Sequence, residues 1–325
     1  MAVERHLPIP PLPTPLVGIS SCLLGQEVRF DGGHKLSRFL RDELGPFVEY
    51  VSWCPEVAIG LGIPRAPIRL TGTVQVPRVT GVKDVSLDVT SALHEYAERV
   101  HAQGRPLSGY VLKKGSPSCG MDRVKVYGDQ GMPVGMASGG YAGRLMALNP
   151  IVPFEEEGRL NDPALRESFI ERIFALARWR RQCESGITAA GLVDFHTRHK
   201  YLLLSHGEVE YRQAGRLVAR AGMGDIQALA DEYIALFMRG MRRPATSRRH
   251  TNVLQHLMGF LRGALEAAER KAMADMIDEY RRGQIPLVVP IRFLQFHFER
   301  HPVHWVALQY YLDPYPDALG VRNHL

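Results

Sequence analysis

Apolar runs in the first half of the chain are short, and several end in a loop of small or polar residues. Leu16 to Ser20 reads as a buried strand feeding a loop at Cys22, and Phe47 to Trp53 as a second strand stopping at Cys54. Gly109 to Lys113 gives a third, which runs into the loop holding Cys119. Between them the spacing turns helical. Leu36 to Leu44 predicts a short amphipathic helix, and Val89, Leu93, Tyr96 and Val100 predict one over Val89 to Ala102, with Asp88 as its cap. Strand, loop and helix in repetition predict an α/β fold, a Rossmann-like doubly wound parallel sheet. Loops at the carboxyl ends of neighbouring strands then converge on one crevice, so three cysteines distant in sequence are expected to meet.

The pattern changes after the acidic stretch Glu155 to Glu157. Asp162 is placed to cap a helix whose first position is Pro163, and Leu165, Phe169, Ile173, Phe174 and Leu176 give that helix an apolar face. Beyond it, Ile226 to Met238 and Val253 to Ala274 continue in helical spacing, so a mainly α-helical domain is expected. The predicted organisation is a Pro-rich leader at 1–15, an α/β domain at 16–165, a helical linker at 166–186 and an all-helical accessory domain at 187–325. A chain of 325 residues is long enough for two domains, each with its own core.

Hydrophobic content of 45% and charged content of 23% are ordinary for a globular protein, and no apolar stretch is long enough to span a bilayer. The first residues lack the apolar core and cleavage site of a secretory signal, so a cytoplasmic protein with no membrane partner is expected. In that compartment disulfides are disfavoured, and cysteines in distinctive loops point to metal binding or catalysis. The net charge of +6 favours an anionic partner without identifying one.

Three thiolates with no evident fourth ligand leave several readings open. They suit an iron–sulfur cluster with one unliganded iron, a catalytic zinc site with an open position, reactive thiols or buried structural cysteines. Neighbouring residues favour chemistry. Glu56 lies two residues beyond Cys54, and Ser116 and Ser118 flank Pro117 just before Cys119. A carboxylate and hydroxyls beside a Lewis acid supply proton transfer and water activation, although a helix-capping Glu56 and proline-turn serines are the simpler alternatives. Asp31 in Asp31-Gly32-Gly33-His34-Lys35, and Lys113 and Lys114 before Gly115, sit in turns suited to contacting a phosphate or a ring carbonyl.

Taken together, Ser21-Cys22-Leu23-Leu24-Gly25, Arg29 to Lys35, Cys54-Pro55-Glu56 through Gly62, Pro64-Arg65, Lys113 to Gly120 and Glu155 to Leu160 resemble the thiouracil desulfurase family over residues 14–165. The resemblance implies a [4Fe-4S] cluster held by Cys22, Cys54 and Cys119 with one open iron position for a thiocarbonyl sulfur. It also implies Glu56 as general acid/base, Ser116 as its closest partner and Ser118 as the fallback, with Asp31, Lys113 and Lys114 as substrate contacts. Cys183 lies outside every such motif.

From about Gly191 to the C-terminus, including Asp194 to Tyr201 and Tyr310 to Pro316, the chain resembles a helical domain often fused to that family, in proteins similar to tRNA 4-thiouridine desulfidases. This implies tRNA as the partner and a thiolated tRNA base as the substrate, with free thiopyrimidines as the smaller alternative. A noncatalytic RNA-binding or cluster-based sensor protein is the reading from a different class. Arg239, Arg242, Arg243, Arg248 and Arg249 fall with His250 in a short segment free of acids, where arginines form a phosphate patch or a solvated face. His196, Arg198, His199 and Lys200 are expected to open a helix, where the dipole does not favour cations, and so to contact RNA, with core or capping histidines and a His196–His199 metal pair as the alternatives.

Overall fold

A computed structural model of the chain describes residues 12–324. It divides into two compact units, one from Thr14 to Leu176 and one from Ala177 onward. The division falls inside one helix, and most of the expected leader, residues 1–11, lies outside the described residues.

The N-terminal unit contains β1 (Leu16–Ser20), β2 (Glu49–Trp53), α1 (Pro55–Ala58), β3 (Ile68–Gly72) and β4 (Pro77–Gly81). It continues through α2 (Thr90–Ala102), β5 (Gly109–Leu112), β6 (Val124–Tyr127), β7 (Pro133–Ala137), α3 (Gly140–Leu148) and β8 (Phe154–Glu156) to the first part of α4 (Pro163–Cys183). β2, β1, β5 and β8 pair in that order, all in parallel. Val17 to Ser20 are all buried, as expected for a strand flanked on both sides in a covered parallel sheet.

The chain moves from β1 to β2 on one side and reaches β5 on the other, which makes the carboxyl end of β1 a topological switch point. In register Ser20 faces Trp53, Ile19 faces Val111 and Leu112 faces Glu156, so the strand ends are level. The core beside them is aromatic. Tyr110 stacks on Trp53 and on Phe154, at ring-centroid distances of 5.8 and 5.6 Å, and its hydroxyl lies 3.2 Å from that of buried Tyr141. Gly18 makes room for this stack, since a Cβ there would lie 2.3 Å from the Tyr110 ring.

Three local expectations change. The segment expected to be an amphipathic helix is a π-helical turn at Phe39–Leu44 followed by a 3₁₀ turn at Gly45–Phe47. Asp88 accepts the Thr90 N–H at 3.0 Å, but the helix it precedes begins at Thr90. A second sheet, ordered β4-β3-β6-β7 with antiparallel outer pairs, has no counterpart in the sequence reading. Its strands are four or five residues long, and β4 and β7 carry both Pro and Gly, which weakens the apolar signal.

The second unit is helical. Beyond α4 it comprises α5 (Ala189–His206), α6 (Glu208–Val218), α7 (Ile226–Gly240), α8 (Ser247–Gly259), α9 (Ala267–Arg281), α10 (Val288–Arg300) and the short α11 (His304–Ala307). Side chains start several of these. Thr188, Asp225 and Thr246 cap α5, α7 and α8, and Glu266 and Glu269 form a reciprocal capping box on α9. Trp179, Phe195, Tyr233 and Phe237 interlock edge-on and stacked in the core. Among the described residues no helix is long and apolar enough to cross a membrane.

Candidate active site

The loops leaving β1, β2 and β5 enclose a cavity of about 320 Å³ lined by Cys22, Cys54 and Cys119 together with Glu56 and Ser116. Cys22 is the second residue of a 3₁₀ turn, Ser21–Leu24, directly after β1, and Cys54 is the residue between β2 and α1. Cys119 is set by a loop tied down at both ends. The Gly120 N–H donates to the Ser116 carbonyl at 2.8 Å, while those of Gly140 and Ala142 at the start of α3 donate to the Pro117 and Ser118 carbonyls at 3.0 Å. Gly139 permits this approach, since a Cβ there would lie 2.6 Å from the Ser118 carbonyl.

All four cysteines are free, and Cys22 and Cys119 are buried. Burial pushes the Cys22 thiol up to about 11, with the charge of Cys54 adding to the shift and Lys113 and Arg29 opposing it. Cys119 is raised well above the ordinary thiol range by burial, Glu56 and the other two cysteines, and Cys54 is raised mainly by burial. Three thiolates here repel one another, so the donor set suits a cationic, thiophilic group. Among the described residues no three His, Cys, Asp or Glu side chains group tightly enough to hold one metal ion. Three thiolates on a single zinc would lie within about 4 Å of each other.

Glu56 occupies the first turn of α1, behind Pro55. Its Oε2 accepts from Arg65 Nε at 2.8 Å and lies 2.7 Å from Arg65 Nη2, with the two side chains 12% and 5% exposed. Its Oε1 accepts from Ser118 Oγ at 2.7 Å and from Ser116 Oγ at 3.4 Å. The expected order of the serines is therefore reversed. Ser118, fully buried, is the close partner, whereas Ser116 Oγ also accepts the N–H groups of Ser118 and Cys119 at 3.2 and 3.1 Å and shapes the turn. Arg65 carries a site role that sequence reasoning missed, although Pro64-Arg65 stood among the motifs. It also donates to the Gly62 and Val28 carbonyls at 2.9 Å, so one guanidinium ties Glu56 to two loops.

Lys113 and Lys114 both line the cavity. Lys113 Nζ pairs with Glu157, just beyond β8, and the Lys114 N–H donates to the same carboxylate at 2.7 Å. Asp31 does not join them. It is exposed and accepts the Gly33 N–H at 3.1 Å, closing a turn outside the cavity.

In the helical unit, His196, Arg198, His199 and Lys200 do not open a helix. α5 starts at Ala189 under a Thr188 cap, so these residues lie near its middle and the dipole argument for a ligand lapses. His199 is a core residue, with its ring stacked on Phe195 and Nδ1 2.8 Å from the Phe195 carbonyl. His196 Nδ1 lies 3.2 Å from the buried Tyr233 hydroxyl, Arg198 pairs with Asp194 at 2.8 Å, and Lys200 Nζ lies 4.2 Å from the Trp305 ring centroid. Of the arginine segment, Arg239, Arg242, Arg243 and Arg248 are exposed, Arg249 is half-buried, and His250 is buried with Nδ1 3.0 Å from the Tyr311 hydroxyl. Arg248 and Arg249 also line a cavity of about 730 Å³ with Tyr201, Tyr211 and Arg212.

The family model described as 2-thiouracil desulfurase matches residues 17–157, the segment that carries all three cavity cysteines. The chain belongs to the 2-thiouracil desulfurase family. A second family model, described as a protein of unknown function (DUF1722), matches residues 200–316. The chain is 36% identical over 160 residues to the uncharacterized protein YbgA of Escherichia coli K12, covering 48% of this chain and 94% of that one. It is 32% identical over 111 residues to the uncharacterized protein YbbK of Bacillus subtilis 168, covering 32% of this chain and 73% of that one. Among solved structures it is 34% identical to the [4Fe-4S]-dependent thiouracil desulfidase TudS, over 48% of this chain and 99% of that one, with a TM-score of 0.38. Family membership makes the chain a desulfidase of thiolated pyrimidines.

The buried histidines give the helical unit a pH signature. Burial, reinforced by Lys200, lowers His196 to about 4, so between its ordinary 6.5 and 4 the unfolded chain takes up a proton that the folded chain does not. Stability is full above pH 6.5 and falls as the pH drops toward 4. His196→Asn is expected to flatten the pH dependence of the urea midpoint in that window, and an unchanged slope would contradict the assignment.

Proposed function

We propose that Cys22, Cys54 and Cys119 hold a [4Fe-4S] cluster and that the site converts the thiocarbonyl of 4-thiouridine in tRNA to a carbonyl, releasing sulfide. The observation that carries this reading is the convergence of three free cysteines and an anchored carboxylate on one cavity at the switch point of the sheet. A cluster with three protein ligands leaves one iron open, which when bound supplies a thiophilic Lewis acid for the substrate sulfur.

The chain's own residues do the rest. Glu56 takes one proton from the water that adds to the ring carbon and returns it to the departing sulfur, and the second water proton leaves the added hydroxyl as the carbonyl forms, so that water and thiocarbonyl become carbonyl and hydrogen sulfide with no net electron transfer. Arg65 fixes one oxygen of that carboxylate, and Ser118 orients the other, which faces the hydroxyl of Ser116. The buried core of Trp53 and Tyr110 closes the back of the site to bulk water.

The larger substrate is supported by the helical unit, where Arg248, Arg249 and Arg212 share a cavity with two tyrosines, a combination suited to phosphate and to base stacking. Desulfuration of free thiouracil is the second reading, favoured by the named activity of TudS and by a cysteine cavity sized for one small ring.

Glu56→Gln is expected to keep the cluster's visible absorption and lose roughly 10²- to 10⁴-fold in turnover. Ser118→Ala is expected to cost about tenfold or more, through one lost hydrogen bond to a charged group, and more than Ser116→Ala. Equal effects of the two serine variants would contradict the geometry. The substrate is decided by nucleoside analysis of bulk tRNA before and after incubation with anaerobically reconstituted protein. Loss of 4-thiouridine with matching uridine and sulfide is expected, whereas intact tRNA alongside consumed thiouracil would transfer the activity to the free base.

A further inference from the structure

At the mouth of the cysteine cavity stands an aromatic ring that the protein leaves uncovered. Phe30 is 41% exposed, and it is the one exposed aromatic side chain among the described residues of the N-terminal unit. It lines the same cavity as Cys22, Cys54 and Glu56. Its backbone is fixed. The Phe30 carbonyl accepts the Arg65 N–H at 2.9 Å, and the turn around it closes through Arg29 N–H to the Gly33 carbonyl at 3.1 Å and Gly32 N–H to the Arg29 carbonyl at 3.0 Å.

Arg29 lies beside this ring, its guanidinium carbon 5.4 Å from the Phe30 centroid, and it lines the cavity as well. Its Nε is buried and makes no hydrogen bond, with Asp31 Oδ1 3.5 Å away. A single exposed Phe on a protein surface is ordinary. An exposed Phe at the rim of a concave site, beside an arginine whose side chain is still 21% exposed and lines the same cavity, has the two elements that recognise a nucleobase: a face to stack on and donors for a ring carbonyl.

We propose that Phe30 and Arg29 form the ring-binding edge of the site, with Phe30 stacking on the pyrimidine and Arg29 donating to its carbonyl oxygen. The inference rests on the desulfidase reading above and adds the residues that hold the ring. Phe is suited to this because every pyrimidine presents a π-face, whatever its substituents. Arg is suited because its donors are fixed in a plane, which a lysine does not reproduce.

Binding of 4-thiouridine to the full-length, anaerobically reconstituted protein tests the proposal by calorimetry, with sulfide release measured on the same preparations. Phe30→Ala is expected to weaken binding roughly 5- to 150-fold, with iron content and unfolding midpoint at wild-type values. Phe30→Tyr is expected to bind within about twofold of wild type, and Phe30→Leu and Arg29→Lys to bind more weakly. Wild-type affinity in Phe30→Ala or in Phe30→Leu would overturn the stacking role. Failure of the wild type to bind 4-thiouridine would overturn it too. A wild type that binds without releasing sulfide would sink the desulfidase reading, while loss of that binding in Phe30→Ala would still support the ring-binding edge.

Discussion

The site depends on β1 being paired in parallel on both flanks. Because β2 and β5 take opposite sides of it and their ends are level, the loops bearing Cys22, Cys54 and Cys119 open onto the same edge without any long excursion of the chain. The close packing of β1 against the Tyr110 stack, which leaves room at Gly18 for nothing larger than hydrogen, couples that arrangement to the core. A slip of one residue would bring a β-branched side chain of β1 against the Tyr110 ring, where only Gly18 fits, and carry Cys22 away from its partners.

Within this frame Glu56 is held from both ends. A nearly buried guanidinium takes one oxygen and a fully buried serine the other, so the carboxylate is held in one orientation. Such a pair is costly to desolvate and gains its value from geometry rather than from raw stability. Glu56 stands two residues from Cys54 and, through Ser118, meets the loop that carries Cys119.

The sequence made the cysteine loops legible because each follows a short apolar strand, a signal that survives without an alignment. The second sheet was not legible, since its strands are only four or five residues long and β4 and β7 carry both Pro and Gly. Arg65 was visible as a motif residue but not as a partner, because its contact with Glu56 depends on how the loop between α1 and β3 folds back. Asp31 illustrates the opposite error: a residue in a recognisable motif that serves its own turn. In the helical unit the misplaced start of α5 followed from overlooking Thr188, and it turned core histidines into apparent surface ligands.

The central claim is that three cysteines from three strand ends hold one cluster. Iron and acid-labile sulfide per chain, measured after anaerobic reconstitution of the wild type and of Cys22→Ala, Cys54→Ala, Cys119→Ala and Cys183→Ala, tests it directly. The account predicts about four irons and four sulfides in the wild type and in Cys183→Ala, with loss in each of the other three. Full iron content in any one of those three would remove that cysteine from the ligand set, and loss in Cys183→Ala would close the open position on which the chemistry rests.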